Sequence, residues 1–217
     1  MDDQQIEISE IFYSIQGESA YAGYPCFFIR VAGCNLRCSY CDASYTYEEP
    51  GSAYSIEQLL AEASAYADVL VEITGGEPLL QPAVYPLIDK LLQNGRTVLV
   101  ETNGSLSLEK VPKEVVKIMD VKCPGSGMHE KMDFRNFSYL SPTDEVKFVI
   151  SSRQDYDFAK KTLLLHSLLG MCKVSFSPVT DRLASYDLAR WIMDDRLPVR
   201  LQLQLHTILW PDKTRAY

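Results

Sequence analysis

Short apolar runs alternate with amphipathic stretches along most of the chain, separated by polar turns rich in glycine and proline. Residues 6–14, Ile-Glu-Ile-Ser-Glu-Ile-Phe-Tyr-Ser, mix alternation with apolar pairs and predict an extended N-terminal segment. Residues 27–31 form a continuous apolar run broken only by Arg30, which predicts a short buried strand. Ser55-Ile56-Glu57-Gln58 has the form of a capping box, opening a helix with Leu59, Leu60, Ala63 and Tyr66 on one face. A strand is predicted over 69–74, and a helix over 82–94 with Pro82 in its first turn and Gly95 at its end. Further strands are predicted over 97–101, 116–121, 145–150, 173–176 and 199–205, the last carrying Gln202 and Gln204 and stopping at His206. Two more helices, 152–169 ending at Gly170 and 184–194, complete the pattern, the first with Leu163, Leu164 and Leu168 as core positions.

Alternation of this kind implies an α/β fold, a mostly parallel sheet with right-handed crossovers. A full eight-unit barrel takes about 250 residues. With 217 residues and six or seven core strands, an incomplete, open (β/α) barrel fits better. No linker, internal repeat or low-complexity tract divides the chain, so residues 1–217 read as one domain, and 47% apolar residues can supply its core. The net charge of −8 argues against unaided binding to a nucleic-acid backbone. No apolar run approaches the ~20 residues of a membrane span. The acidic, polar first residues lack a secretory n-region, and six cysteines without a disulfide framework suit reduced thiols, so the expected location is the cytoplasm.

Three of those cysteines carry the chemistry. Cys34, Cys38 and Cys41 are spaced C-x3-C-x2-C, with no fourth cysteine and no zinc-finger histidine nearby. A closed zinc site wants four protein ligands, whereas an iron–sulfur cube held by three thiolates keeps one iron open. Zinc completed by distant Cys123 or His206 is the alternative. A disulfide within so short a loop is awkward, and the cysteine–proline signature of bacterial ferredoxins is missing. Cys26 and Cys172 read as small core residues. The other polar motifs, Gly75-Gly76-Glu77-Pro78, Thr102-Asn103-Gly104, Lys122, Ser177-Pro178 and His206, all follow the C-terminal ends of predicted strands. In parallel α/β sheets that edge binds ligands.

On these residues the chain resembles the radical S-adenosylmethionine superfamily: Cys34-x3-Cys38-x2-Cys41 with Tyr40 before the last cysteine, and the Gly-Gly-Glu-Pro loop. More narrowly it resembles the 7-carboxy-7-deazaguanine synthase family of queuosine and deazapurine biosynthesis. That resemblance rests on Glu10–Glu18, Phe28-Ile29-Arg30, Gly33-Cys34-Asn35, Cys41-Asp42, Ile73–Pro78, Glu101–Gly104 and Gln204-Leu205-His206, and spans nearly the whole chain. It implies a partial (β/α) barrel of the radical S-adenosylmethionine type, usually homodimeric. The implied reaction is a carbon–nitrogen lyase reaction, the ring contraction of 6-carboxy-5,6,7,8-tetrahydropterin to 7-carboxy-7-deazaguanine with release of ammonia. The implied cofactors are a [4Fe-4S] cluster on Cys34, Cys38 and Cys41, S-adenosyl-L-methionine and Mg2+, with flavodoxin or ferredoxin as electron donor. Carried over position by position, Tyr40, Asp42, Gly76, Asp120, Val121 and Lys122 line the S-adenosylmethionine site, with Ser177 and Pro178 near the adenine. Ile15, Gln16, Gly17, Glu18, Arg30, Thr74 and His206 hold the pterin, Glu18 accepting from its guanidine-like edge and Arg30 pairing with its carboxylate.

Three positions depart from the family pattern. Ala43 stands where a threonine or serine commonly offers Mg2+ a hydroxyl, and Ser44 is expected to point elsewhere. Ser19 replaces a frequent glycine. Residues 207–217 continue beyond His206, where some members end with a carboxylate at the substrate. A glycyl-radical activase of the same superfamily, and a non-catalytic iron–sulfur protein, are the competing readings.

Overall fold

The computed structural model describes residues 5–212 and residue 215. Among the described residues nine strands form one sheet in the order β3-β1-β2-β4-β5-β6-β7-β8-β9. Strand β1 (Gln5–Ile15) runs antiparallel to β2 (Pro25–Val31) and to β3 (Ser52–Ser55). From β2 onward every pairing is parallel, through β4 (Leu70–Gly75), β5 (Val98–Thr102), β6 (Val116–Lys122), β7 (Glu145–Ile150), β8 (Lys173–Pro178) and β9 (Arg200–Leu201). Spatial order follows chain order from β4 to β9, as successive crossovers of one hand require. The result is the expected incomplete barrel.

The strands' period of two sorts side chains to opposite faces. One set faces the helices and forms the main core: Val71 and Ile73, Val98 and Val100, Met119 and Val121, Val146 and Phe148, Phe176. These pack with Leu59 and Ala63 of α2 (Ile56–Ser64), Leu87, Ile88 and Leu91 of α3 (Val84–Gln93), Leu163 of α4 (Arg153–Leu165), and Leu188 of α5 (Ser185–Asp194). The opposite set faces the barrel interior. There Leu99, Val116 and Ile118, with Leu70 and Tyr21, make a small second apolar cluster. The inward positions further along the strands are Glu72, Thr74, Glu101, Asp120, Lys122 and Lys147, all on one cavity. The fold thus places a polar chamber above an apolar floor.

Local signals explain most elements. Ser55 and Gln58 form the reciprocal capping box, with Gln58 N donating to Ser55 Oγ at 3.2 Å and Ser55 N to Gln58 Oε1 at 2.8 Å. Four details differ from the sequence pattern. Helix α3 starts at Val84 with Ala83 as N-cap, so Pro82 precedes it. Tyr66 lies past the end of α2. Helix α4 stops at Leu165 and the chain turns at Ser167 in the left-handed region (φ 53°). Tyr156, Ala159 and Leu163 keep the inward stripe, while Leu164, about 100° further round, is 60% exposed and not core. The last strand is two residues long because the chain beyond it is captured elsewhere. Gln202 Nε2 and Leu205 N both donate to Gly17 O, at 3.3 and 2.9 Å. Gln202 and Gln204 therefore lie outside β9, and His206 lies in a short helix, α6 (Leu205–Leu209). The short α1 (Tyr45–Glu48) and β3 have no clear pattern in the sequence.

Candidate functional site

A cavity of about 680 Å³ opens at the C-terminal ends of the parallel strands. Its lining includes Ile15, Gln16, Gly17, Glu18, Arg30, Cys34, Cys38, Tyr40, Cys41, Asp42, Thr74, Gly76, Asp120, Lys122, Ser177, Pro178 and His206. The one expected site residue placed elsewhere is Val121. Asp120 and Lys122 take the inward positions of β6, so the pleat turns the Val121 side chain into the helix-facing core, fully buried.

The cysteine loop is fixed by its surroundings. Gly33, at φ 87°, donates to Thr46 O at 2.7 Å, and Arg37 Nη1 donates to the carbonyls of Cys34 and Leu36 at 2.8 and 2.7 Å. Ser39 donates through N to Ser126 O and through Oγ to Gly125 O, and Arg182 donates to Ser39 O at 2.8 Å. Tyr40 reaches across to Val149 O at 3.2 Å. All three thiols are free and face one cavity, and Leu36 N points at Cys34 Sγ at 3.4 Å. Burial pushes the Cys38 thiol up to about 11, against the pull of the Lys122 ammonium, so a metal must displace its proton. The donor set fits a cluster in which each thiolate takes a different iron. It does not fit zinc completed by Cys123, which is fully buried off the cavity with its Sγ directed at Val121 O.

The glycine loop lies directly beneath. A Cβ on Gly76 would stand 1.9 Å from Gly33 O and 3.0 Å from the Cys34 Cβ, so only glycine lets β4 pass under the cysteine loop. Glu77, fully buried, is a brace and not a ligand-facing group. It accepts from Leu79 N at 3.1 Å, Thr102 Oγ1 at 2.8 Å and Asn103 N at 2.7 Å, tying the β4 loop to the β5 loop. Asn103 in turn donates to Asn35 Oδ1 at 3.0 Å. Three separate sequence motifs thus form one unit.

Deeper in the chamber the charged groups interlock. Lys122 pairs with Asp120 at 2.8 Å, while the other Asp120 oxygen is buried with no hydrogen-bond partner among the described residues. Lys147 Nζ lies 2.7 Å from Glu18 Oε2, 2.5 Å from Glu101 Oε1 and 3.8 Å from Asp120 Oδ2. Gln204 Nε2 donates to the other Glu18 oxygen at 2.9 Å, and Thr74 Oγ1 to the other Glu101 oxygen at 3.0 Å. Gln16 Nε2 donates to Glu72, and Gln16 Oε1 accepts from Glu18 N. Arg30 is held at Nε by Glu10 at 2.7 Å, and Tyr45 donates to the same oxygen. Its two terminal nitrogens have no hydrogen bond among the described residues.

Glu72, Glu101 and Lys147 had no assigned role in the sequence reading. The available signal was a charge at an inward position of an otherwise apolar strand, as in Leu70-Val71-Glu72-Ile73 and Val146-Lys147-Phe148. Burial, reinforced by Glu101, raises the Glu72 carboxyl well above its ordinary range. Such a group adds stability below the unfolded value, near pH 4.5, and loses it as pH rises toward the folded value. Glu72→Gln, which cannot titrate, is therefore expected to melt higher than the parent at about pH 8, with the gain shrinking at about pH 5. Thermal melts at both pH values check this; an equal difference at each would contradict a raised Glu72 carboxyl.

Ala43 lines the cavity without a side-chain oxygen, and Ser44 is turned away, donating to Glu48 at 3.1 Å. Among the described residues no three Cys, His, Asp or Glu side chains converge on one metal-ion position. The Mg2+ position of the family pattern thus finds no hydroxyl ligand here. Beyond His206, Arg215 pairs with Glu49 and stacks at 4.1 Å on Tyr45, a residue of the cavity lining.

Comparison with known proteins gives concordant matches. The family model described as "Radical SAM superfamily" matches residues 28–165. The chain is 46% identical over 214 residues to the 7-carboxy-7-deazaguanine synthase of Chlorobaculum tepidum, covering 97% of each chain. It is 44% identical to that of Koribacter versatilis, covering 97% of this chain and all of the relative. Among solved structures, QueE from Escherichia coli superposes with a TM-score of 0.76 at 24% identity, covering 93% of this chain and 95% of that one. Streptococcus suis SuiB bound to S-adenosylmethionine superposes at 0.56 with 14% identity, covering 83% and 51%. Both structural matches speak to the fold.

Proposed function

Because the chain belongs to the radical S-adenosylmethionine superfamily and, within it, to the 7-carboxy-7-deazaguanine synthases, we propose that its cavity contracts 6-carboxy-5,6,7,8-tetrahydropterin to 7-carboxy-7-deazaguanine, releasing ammonia as a carbon–nitrogen lyase. The observation that carries this is the joining, in one cavity, of three free thiols at the rim with Arg30 and a set of fixed carboxylates further in.

A [4Fe-4S] cluster and S-adenosylmethionine, when bound, supply the radical that takes hydrogen from the pterin ring. Cys34, Cys38 and Cys41 would hold the cluster. Tyr40, Asp42, Gly76, Asp120 and Lys122 line the space beside it, with Ser177 and Pro178 buried at the end of β8. Arg30 keeps two terminal nitrogens for a bidentate pair with the substrate carboxylate, Glu10 having fixed its Nε. Glu18, already oriented by Lys147 and Gln204, accepts from the ring's donor edge. Ile15, Gln16, Gly17, Thr74 and His206 complete that wall and exclude water. At position 43 the chain offers Mg2+ no side-chain hydroxyl, so no step is assigned to the ion. A flavodoxin or ferredoxin donor, a homodimer and a cytoplasmic location complete the proposal. Among the described residues no helix is long and apolar enough to cross a membrane.

The test is anaerobic reconstitution with iron and sulfide, then incubation with S-adenosylmethionine, reductant and the carboxytetrahydropterin, with and without Mg2+. Formation of the deazaguanine acid is expected; 5′-deoxyadenosine without any pterin-derived product would point to another superfamily reaction, such as glycyl-radical activation. No cleavage at all would point to a non-catalytic iron–sulfur protein. Arg30→Ala is expected to raise the pterin KM by about 10–100-fold, the worth of a charge-assisted pair. Cleavage of S-adenosylmethionine in the absence of pterin should fall much less. Equal losses in both would make Arg30 a structural partner of Glu10 only.

A further inference from the structure

Lys147 belongs to none of the motifs that mark the site, yet the groups around its ammonium are site residues from three separate segments. Glu18 comes from the turn after β1, Glu101 from β5 and Asp120 from β6, at 2.7, 2.5 and 3.8 Å. The Lys147 side chain is only 5% exposed, so this is a desolvated charge whose partners are fixed. Both Glu18 and Glu101 are held at both oxygens, by Lys147 on one and by Gln204 or Thr74 on the other. An ionised carboxylate has about four acceptor sites, so each keeps capacity toward the cavity that both line.

The Lys147 ammonium also holds the Glu101 carboxyl down to about 2 against its burial; without the cation, burial would push Glu101 toward its protonated form. A protonated acid donates where an ionised one accepts, and the wall would then present the wrong pattern to a ring with two adjacent N–H donors.

We propose that Lys147 is a positioning residue that holds Glu18 and Glu101 as a fixed pair of acceptors, and that this pair selects rings carrying an amidine-type donor edge. The inference rests on the functional reading above. It deepens that reading by assigning selectivity to a residue that acts through Glu18 and Glu101. A ring lacking the 2-amino group leaves a buried acceptor unpaired, the kind of mismatch by which binding sites discriminate most strongly.

The test uses cluster-loaded enzyme with S-adenosylmethionine present, titrated anaerobically with oxidised pterin-6-carboxylate and with its 2-deamino counterpart. The parent protein is expected to prefer the amino compound by at least about hundredfold. Lys147→Met should reduce that preference below about tenfold, and Lys147→Arg, which keeps the charge, should restore most of it. Glu101→Gln, which preserves shape and removes one acceptor charge, should also reduce it, and serves if Lys147→Met does not fold. Retention of the full preference in Lys147→Met or in Glu101→Gln would overturn the proposal. A parent protein that binds neither ring would overturn the functional reading itself, a distinct outcome.

Discussion

Cys38→Ala, purified and reconstituted without oxygen, is expected to fold normally, to lose the cluster's visible absorbance and to form no detectable 5′-deoxyadenosine. Iron should fall from about four per chain to well below one, because a cube with two thiolate anchors and two open irons is labile. The fold survives because the Cys38 side chain holds nothing in place. The loop is fixed by Gly33, Arg37, Ser39 and Tyr40, through bonds that the substitution leaves alone. Circular dichroism, iron analysis and product chromatography on the same sample check the three parts together. Wild-type levels of deoxyadenosine from this variant would remove Cys38 from the cluster.

Gly76→Ala is expected to do comparable damage by a different route. Its methyl group would meet the Gly33 carbonyl at 1.9 Å, a backbone atom that cannot swing aside as a side chain can. Two bonds hold the layers at that separation, Gly76 N to Val31 O at 3.2 Å and Glu77 N to Gly33 O at 2.9 Å. Relieving the clash means lifting the Cys34 end of the loop off the β4 loop. Overpacking of this sort costs about 1–3 kcal/mol, which for a chain of this length lowers Tm by roughly 2–12 °C. Iron retention should fall as well, since Cys34 is displaced. Gly95→Ala is the control: Gly95 has φ 73° but open space around it, so strain alone is introduced, far from the thiols. Similar iron loss in both variants would rule out the steric account.

The parallel sheet was legible because each strand carries its own apolar run and each helix its own stripe, signals that need no tertiary context. The site was legible where a motif concentrates unusual residues, as in the C-x3-C-x2-C loop and Gly-Gly-Glu-Pro. Lys147 and Glu72 were harder to see. Each is a single charge in a strand, and its meaning depends on which face the pleat presents and what three other strands place opposite. Val121 shows the same limit from the other side, since adjacency to Asp120 and Lys122 in sequence means opposite faces in the sheet. Leu164 shows the same limit in a helix, since next to Leu163 in sequence means about 100° further round α4, where it faces solvent.

The Gly17 carbonyl, which accepts from Gln202 and Leu205, has a bearing on biosynthesis. The thiol loop, complete at Cys41, is translated about 160 residues before Gln202 and Leu205, which pin the wall opposite it to Gly17. A nascent chain therefore exposes its oxygen-sensitive anchors long before its chamber can close over them. Late closure makes the C-terminal segment the step that commits the newborn protein to function, and stop codons shortly before residue 202 should yield folded barrels with thiols and no selectivity.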